Sequence, residues 1–199
     1  MPAPAAHRKR RTTWNEPGHA HELTFSCFPR LPLLTKERTR RWLIEALDRA
    51  RQRWCFELWA YVIMPEHVHV LLYPTSAEYS ISAVLKAIKQ PVARRALLHL
   101  RRFAPHFLDR LRVGRPGRVE YRFWQAGGGY DRNIYDEATA WACVEYIHGN
   151  PARRELCAVP TDWLWSSARW YAGLDDVPLE MDACPQSPSL ARGRRRGQW

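Results

Sequence analysis

No stretch of the 199 residues has the length and apolar purity of a membrane span, and the opening Met1–Arg11 has no apolar signal-peptide core. A cytoplasmic protein without a membrane partner is therefore expected. A cysteine framework is missing too: the five cysteines are odd in number and no two have CxxC spacing, which argues against structural zinc and for reduced thiols. Acid is scarce, with 20 Asp and Glu against 31 Lys and Arg. No run fits the glycine-aromatic RNP1 pattern of RNA-recognition motifs, and there is no internal repeat.

What is present is a 46% hydrophobic chain of net charge +11 and pI near 9.9. That balance is the electrostatic footprint of a polyanion binder, although it equally serves solubility. Ten tryptophans and eight tyrosines could stack bases or fill a core.

Residues 1–19 read as a flexible basic arm, 20–175 as one folded domain and 176–199 as a disordered basic tail. Within the domain, Glu22–Phe28 is rich in β formers and predicts a first strand. Thr35 then offers a cap to a helix over Lys36–Arg53, whose Leu43, Ala46, Leu47 and Ala50 recur at helical spacing. The apolar runs Phe56–Ile63 and His67–Tyr73, divided by Met64-Pro65-Glu66, predict a hairpin. A second helix follows over Ile81–Leu100, capped by Ser80 or Ser82 and kinked or split at Pro91. After a basic loop, Val119–Trp124 predicts a fourth strand and Gly127–Gly129 a flexible joint. Asp136 starts a third helix, which Pro151 should end near Asn150. A Trp-rich segment, Asp162–Tyr171, should pack back on the domain. The order βαββαβ plus one helix predicts an α+β, ferredoxin-like (RRM-like) antiparallel sheet with the third strand internal.

The chemistry concentrates on that third strand. His67 and His69 are two apart, so alternation sends both imidazoles to one face, where they form either a satisfied structural pair or two metal ligands. Two ligands are too few, and the late helix offers Tyr146 and Asn150 one turn apart. Alone, Tyr146 would more often be a core aromatic and Asn150 a helix stop.

Pro65-Glu-His-Val-His69, Tyr146-Ile-His-Gly-Asn-Pro-Ala-Arg-Arg154 and Asp162-Trp-Leu-Trp-Ser-Ser-Ala168, in that order, resemble the single-tyrosine HUH transposases of bacterial insertion sequences. The REP-associated tyrosine transposases are the branch most similar, over about Glu22–Tyr171. The resemblance implies that His67 and His69 bind a divalent ion, Mg²⁺ or Mn²⁺, that Asn150 supplies a third polar ligand, and that Tyr146 is the nucleophile. It further implies single-stranded or hairpin DNA as substrate, cut beside palindromic repeats through a 5′-phosphotyrosine intermediate and then rejoined. Because imidazoles favour softer ions than Mg²⁺, Mn²⁺ should support activity at least as well. Lys86, Lys89, Arg94, Arg95, Arg153 and Arg154 are the cations expected to hold DNA, bringing the protein to the nucleoid. A homodimer and a monomer both fit. One departure stands out: Glu155 occupies a position where such proteins commonly carry glycine.

Two other readings compete. One is a non-catalytic RRM-like nucleic-acid binder. The other is a zinc hydrolase, for which Glu66 would be the adjacent acid, although strand alternation points it away from His67.

Overall fold

In the computed structural model, which describes residues 14–115 and 117–185, four antiparallel strands form a sheet of order β2-β3-β1-β6. β1 is Ala20–Ser26, β2 Phe56–Ile63, β3 His67–Pro74 and β6 Tyr130–Ile134. The helices are α1 (Glu37–Trp54), α2 (Ile81–Phe103), α3 (Glu137–Arg153) and the short α4 (Ala168–Tyr171). The expected ferredoxin-like α+β plan is present, with β3 inside the sheet between β2 and β1.

Each sheet face buries its own core. Leu23, Phe25, Val68, Val70 and Leu72 face α1 and α2, whereas Val62, Leu71 and Ile134 meet Ala140, Val144 and Ile147 of α3. A register shift between Leu58 and Ala60 places one extra residue in β2, so Leu58, Tyr61 and Ile63 all enter the first core. β2 is an edge strand, and later chain covers it. Ile63 N–H donates to Trp165 O at 2.8 Å, Ser167 N–H to Tyr61 O at 3.0 Å, and Leu58 N–H to the Asp182 carboxylate at 2.9 Å. Such cover prevents strand addition by another chain. The Trp-rich segment packs back as expected. Residues 176–185, expected in a disordered tail, are ordered here because Asp182, Leu179, Met181 and Cys184 engage β2 and the two cores. The expected tail from 186 on and the arm over 1–13 lie outside the described residues. All five cysteines are free thiols.

Several expected boundaries differ. The fourth strand of the sheet is not Val119–Trp124. Arg118–Tyr121 (β5) pairs only with Arg112–Arg115 (β4) in a separate ribbon, and Trp124 turns inward, its indole donating to Lys89 O at 2.8 Å. β6 is instead the polar Tyr130-Asp-Arg-Asn-Ile134, held to β1 by the His21–Asp131 hydrogen bond and the Arg132–Glu22 ion pair, both 2.8 Å. Lys36, not Thr35, occupies the cap position of α1, and the Thr35 hydroxyl donates to Pro32 O. Ser80 does cap α2. That helix runs through Pro91 unsplit, with the proline on its exposed side, where water can serve the carbonyl left without a donor. α3 begins at the Asp136 cap but passes Pro151 to Arg153, its last turn secured by Arg154 N–H to Asn150 O and Leu156 N–H to Pro151 O.

The turn after α3 explains the unusual Glu155. Its φ is +57°, the left-handed region that costs a side-chain-bearing residue about 1–2 kcal/mol. Glu155→Gly should raise the stability of the protein by about 0.5–1 kcal/mol, read as a higher urea midpoint at unchanged m-value.

Candidate active site

His67 and His69 project from β3 on the face that α3 covers. Their Nε2 atoms converge at 3.0 Å, and each Nδ1 is held from behind. Thr24 of β1, the cross-strand neighbour of His69, places its hydroxyl 2.8 Å from His69 Nδ1. Glu66 places a carboxylate oxygen 3.0 Å from His67 Nδ1 and also pairs with Arg154. Glu66 does not point away as alternation predicts, because it lies in the turn before β3 begins at His67. Thr24 is not identified by the sequence motif, and Glu66, which lies in it, is not identified as a partner of His67.

These partners fix the chemistry of the pair. When each Nδ1–H donates to its oxygen partner, both Nε2 lone pairs face each other, an arrangement a cation relieves. At 3.0 Å the two Nε2 atoms are within hydrogen-bond distance of each other and close enough that both imidazoles could serve one cation. Burial, then the charges of His67 and Arg153, pushes His69 down to about 4. Burial, opposed in part by Glu66, also lowers His67. Both imidazoles are thus kept neutral, as ligands must be. Burial works against ionisation of Glu66, but the Arg154 hydrogen bond and the His67 and Arg154 charges outweigh it. Among the described residues no group of three or more His, Cys, Asp or Glu could hold a metal, so a third protein ligand has to be of another type.

α3 brings the tyrosine. The Tyr146 ring stands edge-on to His69, centroids 5.8 Å apart at 86°, and is 46% exposed, which leaves the phenol open to a substrate. Arg153 folds back over the Tyr146 ring at 4.6 Å and donates to Tyr146 O. It can do so because residue 149 is glycine: a Cβ there would lie 2.6 Å from Arg153 Nη1. Asn150 is buried one turn on, its amide nitrogen donating to Tyr146 O at 3.0 Å, so that its amide oxygen is not used in that bond. His148, in the same motif, turns instead to Ser167 Oγ at 2.8 Å, which ties α3 to the β2 edge, and its burial pushes it down to about 4.

The six expected DNA-holding cations divide. Arg153 and Arg154 stand at the site. Lys86, Lys89, Arg94 and Arg95 lie on α2, which packs on the opposite sheet face. Arg95 pairs with Glu45 of α1 at 2.5 Å, and Lys89 donates to Gly127 O at 2.8 Å, so both have structural uses. The tryptophans follow the core alternative. Of those described, only Trp14 is exposed, and the exposed aromatic rings nearest the histidines are Tyr146 and Tyr130.

Thr24→Val removes the hydroxyl behind His69 at nearly constant shape. It should weaken Mn²⁺ binding about 10–100-fold and, by leaving the buried His69 Nδ1–H without its partner, cost about 1–3 kcal/mol of stability, as titration of the variant and its unfolding curve will register.

Two solved structures resemble this fold. One is a REP-associated tyrosine transposase bound to a REP hairpin, with TM-score 0.62 and 18% identity, covering 88% of this chain and 93% of that one. The other is a candidate transposase from Deinococcus radiodurans R1, with TM-score 0.42 and 22% identity, covering 70% of this chain and 96% of that one. No curated protein matches this sequence. The family described as Transposase IS200 like matches residues 18–150, most of the chain and all of the sheet and site up to Asn150, and the protein belongs to that family of transposases.

Proposed function

We propose that the protein cleaves and rejoins single-stranded DNA beside hairpin repeats, with Tyr146 as nucleophile. The observation that carries this reading is the edge-on approach of the exposed Tyr146 ring to His69, one of two neutral imidazoles with converging Nε2 atoms. His67, His69 and the Asn150 oxygen are the residues that would hold a divalent ion, Mg²⁺ or Mn²⁺. When bound, it withdraws charge from the oxygens of the scissile phosphate.

The rest is done by the chain's own groups. A neutral phenol is a weak nucleophile, so the step depends on positioning. The Tyr146 backbone is clamped by Asn150 and Arg153, both donating to its carbonyl. The Tyr146 oxygen attacks phosphorus; the new O–P bond forms as the P–O3′ bond breaks. The leaving 3′ oxygen takes up a proton, the phenol having lost one, and a 5′-phosphotyrosine remains. Attack by another 3′-OH reverses the step and rejoins the strand without ATP. Arg153 and Arg154 flank the site and offer positive charge to the backbone on either side. The ring contact lies within one chain, which supports a tyrosine acting on its own histidines.

The test is cleavage of an end-labelled, hairpin-bearing single-stranded oligonucleotide with Mn²⁺. Cleavage should stop in EDTA and return with Mn²⁺ in excess. A non-catalytic RRM-like binder would retain the oligonucleotide equally with and without metal and release no fragment, and that result overturns the reading.

A further inference from the structure

A cleft of about 810 Å³ opens directly beside Tyr146 and His69, between α3 and the β1–β6 end of the sheet. Its volume suits a nucleotide-sized ligand. Ala138, Thr139, Ala142 and Cys143 form the α3 wall, and their small side chains keep the cleft open. The sheet supplies the floor in two rows. Thr24 lies beside Tyr130 and His69; Glu22 lies beside Arg132 and Leu71. Two residues along a strand advance about 7 Å, so the Glu22 row is one step from the His69 row. A base attached to a phosphate at His69 can reach it.

The second row is chemically unusual. Glu22 is only 6% exposed, yet its carboxylate pairs with Arg132 at 2.8 Å. An apolar pair of the same shape would hold two strands together at least as well as a buried ion pair. Arg132 is half exposed, so the pair has one member in the floor and one reaching into the opening. A carboxylate has two oxygens and about four lone pairs, and the guanidinium five N–H donors, so even with Arg132 also bonded to the Cys143 thiol the pair keeps capacity to spare.

Resting on the transposase reading above, we propose that Glu22 and Arg132 read a guanine base flanking the scissile phosphate. The Watson–Crick edge of guanine places two donors, N1–H and N2–H, beside one acceptor, O6. The Glu22 carboxylate accepts from the two donors and the Arg132 guanidinium donates to O6, both charge-assisted. Adenine offers one donor and one acceptor, cytosine one donor and two acceptors, and thymine a single donor between two acceptors, so each leaves part of the pair unmatched. Tyr130, 42% exposed, gives the base a face to stack on.

The experiment uses the full-length protein, Mn²⁺ and a pool of single-stranded oligonucleotides carrying a hairpin and a randomised flank. Covalent adducts, 3′-OH ends and the retained fraction of the pool are all sequenced, so preference is read even where the rate is low. In the wild type, guanine should exceed each other base about tenfold or more at one position flanking the cut. Glu22→Gln should lose that preference. So should the double variant Glu22→Leu with Arg132→Met, which leaves no lone buried charge and keeps the strand pair apolar. Melting curves verify folding. Guanine preference that persists in both variants, or wild-type adducts with no guanine preference at either flank, overturns the assignment while leaving the role of Tyr146 intact. No adduct from any sequence overturns the transposase reading itself.

Discussion

Tyr146→Phe is expected to abolish strand cleavage, by at least about 10⁴-fold, while leaving oligonucleotide retention within a few-fold of wild type. The variant removes one oxygen. On the proposed mechanism that oxygen is the atom that bonds to phosphorus, and the Thr24 hydroxyl beside it is engaged with His69 Nδ1. The ring is retained, so its edge contact with His69 and the Arg153 guanidinium over its face survive. Unfolding should therefore be unaffected, and single-turnover assays with labelled hairpin substrate separate the lost step from binding. Wild-type rates in Tyr146→Phe would mean that another nucleophile, such as water, cuts the strand.

The second large effect concerns the imidazoles. His67→Ala and His69→Ala should each reduce Mn²⁺-dependent cleavage by about 10³-fold or more, since a cation on a phosphate is worth several kcal/mol of charge stabilisation. They should not be equal in their side effects. His69 is 7% exposed and hydrogen-bonded across to Thr24, so its removal also leaves a void and an unpaired hydroxyl, with a stability cost of about 1–3 kcal/mol. His67 is more open, and its loss frees Glu66, which keeps Arg154 as partner. Isothermal titration with Mn²⁺, set beside urea unfolding of each variant, distinguishes lost coordination from lost fold. Unchanged metal binding in both variants would remove the metal site from the account.

The parts legible in the sequence were those written in local pattern. Alternation placed His67 and His69 on one face, i to i+4 spacing placed Tyr146 and Asn150 on one side of a helix, and hydrophobic periodicity gave α1, α2 and the β2–β3 hairpin. What escaped depends on register or on charge. β6 carries four polar or aromatic residues and one isoleucine, so no apolar rhythm marks it; His21 selects it by a hydrogen bond to Asp131 and Glu22 by an ion pair with Arg132. Thr24 becomes the support of His69 only once β1 is set antiparallel to β3. Glu66 was misplaced by applying strand alternation to a turn. A helix shows its charge in sequence without showing which side of the sheet it occupies, so the placement of the α2 cations opposite the histidines was not legible. Glu155 is the converse case: its odd identity pointed at a real feature, a left-handed turn after α3.

The account rests on one bond, between the Tyr146 oxygen and a DNA 5′ phosphate. The direct measurement is mass spectrometry of the covalent adduct formed with a hairpin-bearing single-stranded oligonucleotide and Mn²⁺, trimmed by nuclease and digested by protease. The account predicts a single modified peptide, containing Tyr146 and carrying a 5′-linked nucleotide on that residue. Cleaved DNA with no protein-linked nucleotide, or with the nucleotide on any other residue, would contradict it.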